Sequence, residues 1–176
     1  DIDDTPLTSH ATNWFKRIFL LLFKNSLTRR EVIGMPDFIR ALKAQPFYIS
    51  NSTWELYDLI KDFLDARKLP RGPILLSNHK LITFRHRKKD KMIRMEQILA
   101  GYPGQQFLLV GDDRQTDPQV YSRLARKHPR RIKAIFIRAS SSSSAKKARA
   151  FLSKTNVPYF VEEHPSRFML RLGELP

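Results

Sequence analysis

The chain has 176 residues, 41% hydrophobic and 28% charged, which is enough apolar material for one domain of ordinary size with its own core. Against 17 acidic residues stand 32 lysines and arginines, a formal charge of +15, so the surface should attract polyanions such as nucleic acid, anionic lipid or phosphorylated substrates. The lack of cysteine excludes disulfides, thiolate metal sites and a cysteine nucleophile, and the longest clean apolar run, Ile18 to Phe23, is far short of the roughly 20 residues a membrane span needs.

In chain order, the first pattern is Asp1-Ile2-Asp3-Asp4-Thr5, two alternating carboxylates followed by a hydroxyl. Such a motif belongs at a strand end, and the strand that would carry it is expected before Asp1. Residues 7–34 then read as a cap-like insert containing the aromatic and aliphatic stretch Trp14 to Phe23, ahead of a helix over Met35 to Leu42. Phe47-Tyr48-Ile49 is a short β-like run ending in Ser50-Asn51-Ser52, and Trp54, Leu56, Leu59, Ile60, Phe63 and Leu64 recur at helical spacing. A second strand candidate, Ile74 to Leu76, precedes a basic loop. The helix expected over Lys89 to Ala100 then carries an apolar face of Met92, Ile93, Met95, Ile98 and Leu99.

Phe107 to Val110 leads into a second acidic cluster, Gly111-Asp112-Asp113-Arg114-Gln115-Thr116-Asp117, and Pro118 suits the first turn of a following helix. Ile132 to Ile137 predicts a fourth strand, Ser140 to Ser144 a flexible loop, Ala145 to Ser153 a helix and Val157 to Val161 a fifth strand. This alternation predicts a mostly parallel sheet with helices on both faces. Ligands in such sheets sit at the carboxyl ends of the strands, where both acidic clusters and Ser50 would fall.

Two acidic clusters in this order read as one metal-assisted phosphoryl-transfer site. Asp1 suits a nucleophile that takes the phosphoryl group, and Asp3 an acid and base that protonates the leaving oxygen and then activates water. Two anions approach each other only with a cation between them, and Mg²⁺ prefers the hard oxygens that Asp1, Asp3, Asp112 and Asp113 offer. Ser50 and Lys91 suit donors to phosphoryl oxygens. The five histidines show no zinc spacing, and no Gly-rich nucleotide loop is present.

The segments D-I-D-D-T at 1 to 5, Y-I-S-N-S-T-W-E-L-Y at 48 to 57, Lys91 in front of an apolar-periodic helix, and L-V-G-D-D-R-Q-T-D-P-Q-V-Y at 109 to 121 resemble the haloacid dehalogenase superfamily. More narrowly they resemble the catalytic domain of App1-type phosphatidate phosphatases. The resemblance implies a Rossmann-like three-layer α/β/α sandwich over the whole chain, 1–176, as a single domain. It makes Asp1 the nucleophile and a metal ligand, Asp3 the acid/base and a metal ligand through its carbonyl, and Thr5 a support for the loop. Ser50, Asn51 and Lys91 become substrate contacts, Asp112 the metal carboxylate, and Asp117 a metal ligand or a partner to one. The family's Gly-Asp-Ser-Gly turn is here Gly111-Asp112-Asp113-Arg114, so the loop either favours a different head group or pairs Asp113 with Arg114. Pro6 after Thr5 is a second departure.

On this reading the chain is a Mg²⁺-dependent phosphatase converting phosphatidate to diacylglycerol. The alternatives are a phosphomonoesterase of the same superfamily acting on nucleic-acid ends or a soluble ester, and an inactive membrane-binding module. The basic clusters from Lys80 to Lys91 and Arg126 to Arg131 are either solvated faces or a surface for anionic membrane; nucleic acid is the less favoured partner. The apolar insert is either a partial cap or a surface buried under chain outside this segment. The expected location is the cytoplasm, peripheral on membranes.

Overall fold

Ile132-Lys133-Ala134-Ile135-Phe136-Ile137-Arg138 is rich in β-branched and aromatic residues, and its apolar side chains fall on both faces. That is the pattern of a strand covered on two sides. The computed structural model describes residues 34–77, 84–113 and 116–175, and in it Ile132–Arg138 is the middle strand of a parallel ladder. Its neighbours are Phe107–Asp112 and Tyr159–Glu162. A second parallel pair is formed by Tyr48–Thr53 and Ile74–Ser77. In chain order these five strands are β1 (Tyr48–Thr53), β2 (Ile74–Ser77), β3 (Phe107–Asp112), β4 (Ile132–Arg138) and β5 (Tyr159–Glu162).

The helices among the described residues are α1 (Met35–Ala41), α2 (Tyr57–Ala66), α3 (Phe84–Gly101), α4 (Asp117–Lys127), α5 (Ser142–Leu152) and α6 (Ser166–Arg171). The two faces of β4 sort them into layers. Ile135 and Ile137 join a cluster with Met92, Met95 and Leu99 of α3, Val120 and Leu124 of α4, and Ala145, Ala148 and Leu152 of α5. Ala134 and Phe136 point the other way, onto Phe38 of α1 and Phe168 of α6. The three rings of Phe38, Phe136 and Phe168 lie 4.9 to 5.5 Å apart and are fully buried. The architecture is therefore a parallel α/β fold of the Rossmann type with helices on both faces, as the sequence predicts. A third cluster, Ile60 and Leu76 with Leu56, Leu59, Leu64 and Ile74, seats α2 on β2.

Three details depart from the expected elements. The helix expected from Lys89 begins at Phe84, because the basic residues ahead of the apolar face are good helix formers without apolar periodicity. This puts Lys91 inside the helix instead of at its opening, and Ile93 faces solvent at 43% exposure, outside the apolar face. The serine run is not a flexible loop: Ser141 caps α5, accepting from the Ser144 N–H while the Ser144 hydroxyl accepts from the Ser141 N–H, a reciprocal capping box. Helix α6 has no counterpart among the expected elements. The anticipated insert at 7–34 lies, but for Gly34, outside the described residues, as do Asp1, Asp3 and Thr5.

Candidate active site

The carboxyl end of β1 and the start of α4, which follows β3 in the chain, both meet helix α3. Gly111 and Asp112 close β3, and the chain then turns into α4, whose first residue is Asp117. A carboxylate at a helix start is favoured by the unpaired N–H groups there. Asp117 is only 6% exposed, and its Oδ1 is paired with Nζ of Lys91, itself 7% exposed. Oδ2 of Asp117 faces the Asp112 N–H at 3.4 Å and the Tyr121 hydroxyl at 3.5 Å. The single proton of that hydroxyl goes to the Val110 carbonyl at 2.9 Å, the shorter of its two contacts. Burial first, then the negative charges of Asp117 and Asp112, push the Tyr121 phenol well above its ordinary range, so it stays a donor. The Lys91 ammonium lies 5.5 Å from the centre of the Tyr121 ring, adding a cation–π contact.

Gly111 is the position that makes this approach sterically allowed. A Cβ there would strike Oδ2 of Asp117 and stand 2.9 Å from the Tyr121 ring and hydroxyl. Neither group can yield easily, because both are already fixed by hydrogen bonds.

Asp112, with a side chain 35% exposed, lies 3.9 Å from Arg138 of β4. Asp113 is tied to the neighbouring strand end: its N–H donates to the Arg138 carbonyl at 3.2 Å, and its Oδ2 accepts from the Ser140 N–H at 2.7 Å and hydroxyl at 3.1 Å. Oδ1 of Asp113 is buried and has no hydrogen-bond partner among the described residues, and the same holds for Oγ1 of Thr116. The expected partner of Asp113, Arg114, lies outside the described residues.

On the other side of the site, β1 runs through Ser50 and Asn51 to Thr53. Its register against β2 is irregular between Ile49 and Thr53. The Ser50 hydroxyl accepts from the Ser52 N–H at 3.1 Å. The Ser50 carbonyl accepts from Nη1 of Arg94 at 2.6 Å, and the Asn51 side-chain oxygen from Nη2 at 3.1 Å. The structure thus ties Asp117 directly to Lys91 of α3 and, through the Asp112 N–H, to the end of β3. Ser50 and Asn51 are tied to the same helix, one turn further along.

As to metal binding, Asp112 and Oδ1 of Asp113 are hard oxygen donors, and a buried carboxylate oxygen without a hydrogen bond is a group that a cation would satisfy. The donor set fits Mg²⁺ in kind. Among the described residues no three potential ligands gather; the two aspartates expected to complete the set, Asp1 and Asp3, lie outside them.

A family model described as "Phosphatidate phosphatase APP1, catalytic domain" matches residues 1–139, and so takes in both acidic clusters, Ser50 and Lys91. The chain belongs to this APP1 catalytic-domain family. It is 30% identical to phosphatidate phosphatase APP1 of Saccharomyces cerevisiae, over 81% of the chain and 26% of that protein. It is also 24% identical to an uncharacterized protein of Schizosaccharomyces pombe, over 94% of the chain and 29% of that protein. The chain therefore spans between a quarter and a third of the curated relatives it matches. No solved structure matches it.

Two residues of this family member's site are given no role by sequence reasoning. Tyr121 enters there only as the last residue of the 109 to 121 segment, and Arg94 not at all. A signal for Arg94 exists: it lies three residues from Lys91 and four before Ile98, on a face otherwise occupied by Met95. A charged residue on a buried face must find partners.

Proposed function

We propose that this chain is the catalytic part of a Mg²⁺-dependent phosphatidate phosphatase, releasing phosphate and diacylglycerol through an aspartyl-phosphate on Asp1. The observation that carries the reading is the buried Lys91–Asp117 pair beside Asp112 at the carboxyl end of β3, within a family described as a phosphatidate phosphatase catalytic domain.

The roles follow from the chemistry of each group. Asp117 fixes the direction of Lys91, so that the ammonium is pre-aimed where charge builds on the transferring phosphoryl group. The Asp112 N–H faces Asp117 in turn, and the buried Tyr121 side chain lies against it. The Ser50 hydroxyl and the Asn51 amide supply donors to phosphoryl oxygens from the β1 side. Asp1 attacks phosphorus and the bond from phosphorus to the lipid oxygen breaks. Asp3 gives that oxygen its proton, then takes one from the water that attacks the same phosphorus, freeing phosphate and restoring Asp1. Asp112, with Asp1, Asp3 and Oδ1 of Asp113, would hold Mg²⁺, which when bound offsets the charge repulsion between phosphate and carboxylate.

A membrane surface as partner is supported by the outer face of α4 and α5. Arg123 and Arg126 of α4 and Lys146 and Lys147 of α5 are exposed. The acidic residue of α4, Asp117, is buried, and α5 has none. No helix among the described residues is long and apolar enough to cross a membrane, so contact through this basic face suits a peripheral encounter with anionic lipid.

Substrate class is tested by supplying phosphatidate in mixed micelles, a soluble aryl phosphate and a 5′-phosphorylated oligonucleotide to the same preparation. Preferential release from phosphatidate is expected. Preference for the oligonucleotide would keep the chemistry and reject the lipid.

A further inference from the structure

Arg94 is 8% exposed, and all of its hydrogen-bonding capacity is spent inside the protein. Nε faces the Asp90 carbonyl at 3.4 Å. Nη1 donates to the carbonyls of Ser50 at 2.6 Å and Leu75 at 3.0 Å, and Nη2 to Asn51 Oδ1 at 3.1 Å and Asp90 Oδ2 at 2.8 Å. A guanidinium has five N–H donors in a rigid plane, and here acceptors on α3, β1 and β2 meet all of them. Burial lowers its pKa while Asp90 opposes that shift, the pattern of a cation held in place by its partners.

None of those donors remains for a substrate, so Arg94 cannot be a catalytic residue. What it does is join the two halves of the proposed phosphate site. Lys91 lies one helical turn before it on α3, and Ser50 and Asn51 hang from the same guanidinium on β1. The irregular register of β1 against β2 falls at this point, so the ladder alone does not fix where Ser50 and Asn51 sit. Resting on the phosphatase reading above, we infer that Arg94 is a positioning residue that sets Ser50 and Asn51 at their working distance from Lys91, and thereby sets the affinity of the site for a phosphoryl group.

The test uses Arg94→Lys and Arg94→Ala, each checked for a cooperative melt before any other measurement. Inorganic phosphate is titrated in the presence of Mg²⁺ by calorimetry, and kcat and KM are measured for phosphatidate. In folded protein, both variants are expected to lose about tenfold or more in phosphate affinity and in kcat, since small misplacements at a reacting centre carry large penalties. Lysine should not rescue, because it lacks the planar fork, whereas a low concentration of added guanidinium should partly restore Arg94→Ala. Folded variants that bind phosphate and turn over as the parent does would overturn the inference and leave Arg94 a fold-stabilising residue. So would a loss of activity only in proportion to the unfolded fraction, or the failure of both variants to melt cooperatively. A parent protein that neither binds phosphate nor hydrolyses any ester would instead overturn the phosphatase reading, and this inference with it.

Discussion

Lys91 and Asp117 make sense only as a pair. Each is nearly excluded from water, and removing one partner strands the other charge, which costs about 3–5 kcal/mol in comparable buried pairs. Lys91→Met should therefore destabilise the fold by about that amount in chemical denaturation. Replacing both residues, Lys91→Met with Asp117→Leu, should cost less than the single change, while abolishing turnover. Gly111→Ala is a sharper local test: the new methyl group collides with Asp117 and Tyr121, so turnover should fall at least about tenfold. Asp112 and Asp117 are legible in the sequence as site residues because acidic groups follow a strand and open a helix. Their different tasks are not, because nothing in spacing says that one carboxylate stays near solvent and the other is closed over by a lysine 26 residues away. Asp113 is the clearest case: its tie to Ser140 depends on β3 and β4 lying side by side.

Between elements, α3 and α4 are joined a second time at their solvent side, where Lys127 donates to Glu96 at 2.6 Å and His128 lies 3.6 Å from the same oxygen. The hydrogen bond from Lys127, more than its charge, holds the Glu96 carboxyl below its ordinary 4.5. A carboxyl with a lowered folded-state pKa contributes stability that is present above the unfolded value and lost as pH falls through the folded one. Melting curves taken from neutral pH down through the carboxylate range should show a small loss that Glu96→Gln removes; an identical acid profile in the variant would contradict this. The pair is exposed, so the effect belongs with surface ion pairs, on the order of 0.2–1 kcal/mol. Strands and helices are legible in the sequence wherever apolar periodicity runs the full length, as in β4 and α4. The start of α3 is not, because its first turns are charged almost throughout, and the serine run misleads, because its hydroxyls cap a helix instead of loosening a loop.

For the molecule as a whole, the sorting of β4 side chains onto two faces accounts for the layered fold, and the excess positive charge accounts for one of its surfaces. Vesicle flotation tests the basic face: each lysine or arginine near anionic headgroups contributes roughly 1 kcal/mol. The double change Lys146→Glu with Lys147→Glu should then weaken binding to phosphatidate-containing vesicles at least about tenfold and flatten its salt dependence. Unchanged flotation would show that this surface is not the one that meets lipid. The parallel α/β architecture can be read from alternation alone, whereas the basic face cannot. Exposed Arg123 and Arg126 come near exposed Lys146 and Lys147 only because α4 and α5 pack side by side, joined by the Ser122 hydroxyl on the Phe151 carbonyl at 2.7 Å.

The phosphatase chemistry itself is decided by phosphate release from phosphatidate in mixed micelles with Mg²⁺ or with chelator, for the parent protein beside Asp1→Asn and Asp112→Asn. The predicted result is release that requires Mg²⁺ and is lost in both variants while their melting curves stay cooperative. Release that survives chelation, or that persists in Asp1→Asn, would contradict an aspartyl-phosphate mechanism assisted by the metal.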